Sequence, residues 1–361
     1  MVSNQMVVDT LEKIRDIYDA NLCVYTVDGV MITADGVKKN EELKNILKFM
    51  DEREDTMVID GKCYFRINDG NHLEYVLLCD DKPEALVVGK LTVLQLEALI
   101  AAHQERFDKD NFIKNLLLDN LLLVDIYNRA KKLRIDTRAK RVAYLIETKH
   151  KDDINALETV RSLFAENEND FVAAIDENNI ILVKELKPED GEEELLHIAN
   201  TLADMLNTEA MSQVRIAYGN VADEIRKVSN SYKEAKLALS VGKIFNSEQN
   251  VVSYASLGIG RLIYQLPLPM CKMFIEEIFK GQSPEDFDEE TLTTINQFFE
   301  NSLNVSETSR QLYIHRNTLV YRLDKLQKNT GLDLRVFDDA ITFKIALMVV
   351  KYMHYMENQE S

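Results

Sequence analysis

NVSETSRQLYIHRNTLVYRLDKLQKNTG, residues 304–331, is the stretch whose reading decides the fold. Its first part, VSETSRQL (305–312), reads as a short helix with Asn304 or Ser306 as the N-cap. YIH (313–315) then has room only for a turn. RNTLVYRLDKLQK (316–328) reads as a second helix: Leu319, Leu323 and Leu326 fall at i, i+4 and i+7 and make one apolar stripe. Gly331 supplies the C-terminal stop. The other side of this helix holds Asn317, Tyr321, Lys325 and Lys328, with Arg316 and Arg322 flanking. Two short helices joined by such a turn have the geometry of a helix-turn-helix. An apolar face upstream, Leu292, Ile295, Phe298 and Phe299, adds a supporting helix, and AITFKIALMVV (340–350) adds another downstream.

Charge sharpens the reading. Between Asn304 and Arg335 the chain has six Lys/Arg and three acids, a net of +3, whereas the whole protein carries −18. In a helix-turn-helix the second helix enters the major groove and its N-terminal residues reach base edges. Arg forks to guanine and Asn to adenine. Thr and Tyr hydroxyls suit phosphate oxygens. On this reading Arg316, Asn317, Thr318, Tyr321, Arg322 and Lys325 face double-stranded DNA, and the acidic body repels the duplex and so orients the basic element toward it. A basic amphipathic helix is also found as a solvated face, so periodicity alone leaves open a non-DNA-binding interaction or oligomerisation scaffold.

The rest of the 361 residues calls for two or three domains. Gly and Pro number only 12 and 5, which predicts long helices and short connections. The apolar runs NLLLDNLLLV (115–124) and AITFKIALMVV are interrupted by Asp119, Asn120 and Lys344, short of the roughly 20 apolar residues of a membrane span. The first residues, MVSNQMVVDTLEK, lack the basic-then-apolar order of a signal peptide. A cytoplasmic protein without a membrane partner is expected. Cys23, Cys63, Cys79 and Cys271 form no C-x-x-C pair and the six histidines are scattered, so neither a structural metal nor a disulfide framework is expected.

Periodicity divides the upstream chain. Residues 2–19 read as an amphipathic helix, LCVYT and VMIT as a hairpin around VDG, and ELKNILKFMDE (42–52) as a helix. MVIDGKCYFRI, LEYVLLC and ALVVGKL read as further strands. This is the order of a small α+β sensor module such as a PAS or GAF domain. From Leu91 to Leu133 the pattern is helical, with an apolar surplus that must pack on a neighbouring domain or a second subunit. Residues 141–220 alternate as β-α-β-β-α-β, the ferredoxin-like order. A further helix, IRKVSNSYKEAKLALSVGKIF, and a short strand near VVSYAS follow. QLPLPM (265–270) and GQSPEDFDEE (281–290) mark boundaries.

Enzyme readings find little support. A nucleotide cyclase of this order needs a glycine-rich hairpin for the phosphates and carboxylates for Mg²⁺. The hairpin here, IDENNII (175–181), has Asp176 and Glu177 but no glycine pair. GIG (258–260) lacks the third glycine of a dinucleotide loop, and GKLT (89–92) lacks the upstream glycine of a P-loop. No catalytic residue and no cofactor is expected.

The segment NVSETSRQLYIHRNTLVYRLDKLQKNTGLDLRVFDDAITFKIALMV (304–349) closely resembles the C-terminal helix-turn-helix of PucR/CdaR-type bacterial regulators, the sugar-diacid-utilisation regulator group. HRNTL-x-YRL followed by TGLDLR carries the resemblance. KDNFIKNLLLDN and NRAKKLRID resemble the helical linker of that family, and RIAYGNVADEIRKVSNSYKEAKLALSVGK the end of its middle domain, a degenerate relative of the GGDEF nucleotide-cyclase fold. Residues 1–90 fall outside the resemblance: they do not match the family's sugar-diacid recognition domain and are shorter than it. The resemblance implies transcription regulation in response to a small metabolite; a metabolite of carbon or nitrogen catabolism and a homodimer are expected. The resemblance also implies that His315, Arg316, Asn317, Thr318, Tyr321 and Arg322 belong to the recognition helix. Ser309 departs from it, standing where alanine is usual; its small size is expected to be tolerated and its hydroxyl to bond back to a carbonyl. The expected architecture is an α+β multidomain chain: a PAS/GAF-like sensor (1–90), a helical linker (91–138), a degenerate GGDEF-like ferredoxin-type domain (139–264) and an all-α helix-turn-helix domain (285–361).

Overall fold

The computed structural model describes the chain apart from residues 1–3, 19–20, 33–37, 40–42, 53, 71, 150–152, 166, 168, 280–286 and 361. Most of the expected boundary GQSPEDFDEE therefore lies outside the described residues. The chain forms two compact units, Met1–Ile113 and Lys114–Ser361.

The first unit begins with α1 (Asn4–Ile17), which buries Val7, Val8 and Leu11 at helical spacing. β1 (Cys23–Thr26) and β2 (Val30–Ile32) form the expected hairpin, and β3 (Lys38–Lys39) adds a short edge. After α2 (Leu43–Asp51) come β4 (Thr56–Ile59), β5 (Lys62–Asp69) and β6 (His72–Asp80). The sheet is antiparallel with the order β3-β2-β1-β6-β5-β4. Period-two alternation gives it two buried faces. Val24, Phe65, Ile67 and Leu77 pack in one cluster with α1, and Tyr25, Tyr64, Val76 and Leu78 in another with Ile46 and Phe49 of α2.

ALVVGKL (85–91), expected as a strand, is instead the start of α3 (Ala85–Leu117). The run is short and apolar, which fits either element. Burial decides: Ala85, Thr92, Leu96 and Ile100 line one helical face. Gly89 is what lets this helix lie on the sheet, since a Cβ there would come within 2.2 Å of the Phe65 ring. Among the described residues α3 is one helix long and apolar enough to cross a membrane by length and composition alone.

The second unit takes in the last residues of α3 and continues with α4 (Leu123–Lys132). The expected alternation then follows as β7 (Arg141–Thr148), α5 (Ile154–Leu163), β8 (Phe171–Ala174), β9 (Asn179–Glu185), α6 (Glu192–Thr208) and β10 (Val214–Tyr218). α7 (Val228–Phe245) and β11 (Val251–Ser253) complete this part. The sheet order β11-β10-β7-β9-β8, with β7 antiparallel to both β9 and β10, is ferredoxin-like with one added parallel edge strand. Three glutamates open α6, where the helix dipole favours them. Arg141 is fully buried. It donates to Glu185 Oε2 at 2.6 Å and to the Asp136 carbonyl at 2.7 Å, so β7 is tied to β9 by an ion pair buried on its Arg141 side.

The C-terminal helices are α8 (Gly260–Ile263), α9 (Leu268–Phe279), α10 (Glu289–Glu300), α11 (Val305–Gln311), α12 (Arg316–Thr330) and α13 (Phe337–Glu360). QLPLPM leads directly into α9, whose first turn tolerates Pro269. One core holds this region together. Cys271, Ile275 and Phe279 of α9 pack with Ile295 and Phe298 of α10, the α12 leucines and Phe343, Ala346 and Val349 of α13. Ile244 of α7 reaches the same cluster.

Candidate nucleic-acid interface

The helix-turn-helix is built from local signals. Asn304 caps α11, its side chain accepting from the backbone N–H groups of Ser306 and Glu307 at 3.0 and 3.1 Å. Ser309 is buried and its hydroxyl donates to the Ser306 carbonyl at 3.0 Å, which satisfies the one polar group that an alanine would not bring. The turn is held by Tyr313 N–H to Arg310 O at 3.1 Å and Ile314 N–H to Ser309 O at 3.0 Å. His315 then caps α12, with Nδ1 accepting from Asn317 N–H at 3.2 Å. Leu319, Leu323 and Leu326 are buried as their spacing predicts. At roughly 1.5–3 kcal/mol each, they fix which face of α12 points outward. Gly331 ends the helix at φ +82°, the left-handed region.

The outward face carries His315, Arg316, Asn317, Thr318, Tyr321 and Lys325, all exposed. Among the described residues Arg316, Lys325 and Lys328 form no ion pair, so their charges are available to an anionic ligand. Arg322 is different. It turns toward α10, donating to Thr294 Oγ1 at 3.0 Å and forming an ion pair with Glu290. Thr294 Oγ1 in turn donates to the Glu290 carbonyl at 2.8 Å. Arg335 is likewise occupied, pairing with Asp333 at 2.7 Å and Asp324 at 2.8 Å. Of the basic residues in this region, those on the outward face of α12 are the uncommitted ones. Tyr313 was absent from the sequence-derived set. It stands 96% exposed at φ +55° in the turn, and nothing in its spacing marks it.

The hairpin that a cyclase would use is closed on itself. The Asp176 carboxylate accepts from Asn178 N–H at 2.9 Å and from Asn179 Nδ2 at 2.9 and 3.0 Å. An aspartate so occupied shapes a tight turn. His197 is exposed on α6.

Residues 291–349 match the family described as the PucR C-terminal helix-turn-helix domain, and residues 120–241 match the GGDEF-like domain. The chain is similar to the purine catabolism regulatory protein of Bacillus subtilis (strain 168), 26% identical over 135 residues, 37% of this chain and 25% of that protein. It is similar to the carbohydrate diacid regulator of Escherichia coli (strain K12), 30% identical over 135 residues, 37% of this chain and 35% of that one. A third relative, the proline-responsive transcriptional activator PutR of B. subtilis (strain 168), is 28% identical over 145 residues, 38% of this chain and 34% of the relative. The chain thus spans about a third or less of the length of these curated relatives.

Proposed function

Because the chain is of the PucR/CdaR type in its GGDEF-like and helix-turn-helix domains, we propose that it is a DNA-binding transcriptional regulator. The observation that carries this reading is α12 itself: a buried leucine stripe on one side, and on the other exposed Arg316, Asn317, Thr318, Tyr321 and Lys325 behind the His315 cap. In this reading α12 lies in the major groove with Arg316 and Asn317 at base edges and Thr318, Tyr321 and Lys325 toward phosphates. Arg322 acts as a brace that sets α12 against α10. Residues 1–90 are a PAS/GAF-like sensor for a small metabolite of carbon or nitrogen catabolism, a reading supported by the antiparallel sheet with α1 and α2 on its faces. Residues 91–138 link it to a GGDEF-like domain, 139–264, that is not catalytic, which the occupied Asp176 turn supports. Residues 285–361 read the operator, in the cytoplasm, as a homodimer. Nuclease footprinting of wild type and Arg316→Ala on DNA upstream of the protein's own gene tests the reading. A discrete protected site that the variant loses is expected. Uniform protection of any DNA, unchanged by the substitution, would reject it.

A further inference from the structure

α3 has two apolar stripes where a helix lying on a sheet needs one. Thr92, Leu96 and Ile100 are buried against the first unit. On the opposite side Val87, Leu91 and Leu94 are each more than 60% exposed, and Ala98 and Ala101 are exposed with them. These five residues step by four, three, four and three. That is the heptad step, which keeps one seam facing one partner helix.

We propose that this stripe is the seam on which a second copy of the chain packs, α3 against α3, antiparallel about a two-fold axis at Leu94. Two features of the sequence select this occupant. The first is volume. In the antiparallel register Val87 of one copy meets Ala101 of the other and Leu91 meets Ala98, so large residues face small ones along the seam. A parallel register would put the large residues together at one end and leave alanines facing alanines at the other. The second is charge. From Ala85 to Ala102 the only charged side chains are Lys90 and Glu97, seven residues apart on the same flank of the stripe. The antiparallel register brings Lys90 of one copy within about one residue rise, about 1.5 Å along the axis, of the height of Glu97 on the other. The two-fold repeats the pair. Glu97 Oε1 is engaged by Asn68 N–H at 2.9 Å, which holds the side chain on that flank and leaves Oε2 for the partner. In a chain of net charge −18, this face is neutral and self-complementary.

The inference adds an interface to the regulator reading without depending on it, since the mass is read with no DNA present. Light scattering after size exclusion should give the full-length wild type twice the 41.5 kDa of one chain. Leu91→Glu/Leu94→Glu, on exposed positions, should halve that mass with an unchanged circular dichroism spectrum. Orientation is read from cysteines, with wild type as the control for its own thiols. Val87→Cys mixed with Ala101→Cys should cross-link under mild oxidation, and neither variant alone should do so. A wild type that stays monomeric, a double variant that stays dimeric, or each cysteine variant cross-linking with itself would overturn the seam. Because α3 also has the length and composition of a membrane span, the same variants are sedimented with phosphatidylcholine/phosphatidylglycerol vesicles. Wild type that pellets with vesicles and remains monomeric without them would assign the stripe to lipid and overturn the proposal as well.

Discussion

Arg316 and Arg322 sit on the same helix and meet different surroundings. Arg316 is exposed at the first turn of α12, whereas Arg322 is tied to Thr294 and Glu290 of α10. Arg316→Ala should therefore leave thermal stability unchanged. It should weaken DNA binding by about 1–3 kcal/mol if the side chain reads a guanine. Arg322→Ala should lower the melting temperature slightly, since a partly exposed pair is worth about 1 kcal/mol or less. Thermal melts of the two variants, set beside their DNA affinities, separate the reader from the brace. Asp288 caps α10 through Thr291, whose N–H donates to its side chain at 2.7 Å. The hydrogen bonds from Thr291 hold its carboxyl below the ordinary value of 3.8. Arg335 does the same for Asp333. With folded values depressed, both contributions are present above about pH 4 and are lost as the pH falls through the folded values. The melting temperature should drop as pH is lowered below about 4, and Asp288→Asn, which keeps a cap without the charge, should flatten part of that drop.

At the scale of elements, α12 was legible in the sequence almost completely: the leucine stripe, the three-residue turn and Gly331 as terminator all stand as their chemistry requires. Gly331→Ala should cost about 1–2 kcal/mol through backbone strain alone, because nothing lies near the added Cβ. The β-α-β-β-α-β order was equally readable, since each element carries its own period. What could not be read was contact at long separation. Arg322 finds Glu290 across 32 positions, and Arg141 finds Glu185 across 44. Nor did the start of α3 show itself, because ALVVGKL carries too few residues to express a helical period and its glycine answers to Phe65, a residue far upstream. Glu185→Ala should destabilise the ferredoxin-like part by about 3–5 kcal/mol, since it strands the buried Arg141 charge; denaturant unfolding would read this directly. The shared C-terminal core adds a further expectation. A fragment 285–361 lacks Cys271, Ile275 and Phe279 and should fold poorly, whereas 114–361 keeps the cluster whole and should unfold cooperatively.

For the whole molecule, the proposed function has an acidic chain concentrate its DNA-binding capacity on one exposed helix face. In the proposed homodimer, two such faces related by a two-fold would meet half-sites about 34–36 Å apart, so an inverted repeat at that spacing is the expected operator. If a ligand binds the first unit of the proposed regulator, a change in the relative placement of those two faces is one way it would couple to DNA affinity. The most direct test is fluorescence anisotropy of the full-length protein with DNA from upstream of its own gene, across a salt series, comparing wild type with Arg316→Ala. Sequence-selective binding that weakens as salt rises is expected, with Arg316→Ala weaker and less selective at the base pair it reads, and with a salt slope close to that of wild type. Binding that is indifferent to both salt and Arg316, or none at low salt with the dimer intact, would contradict it.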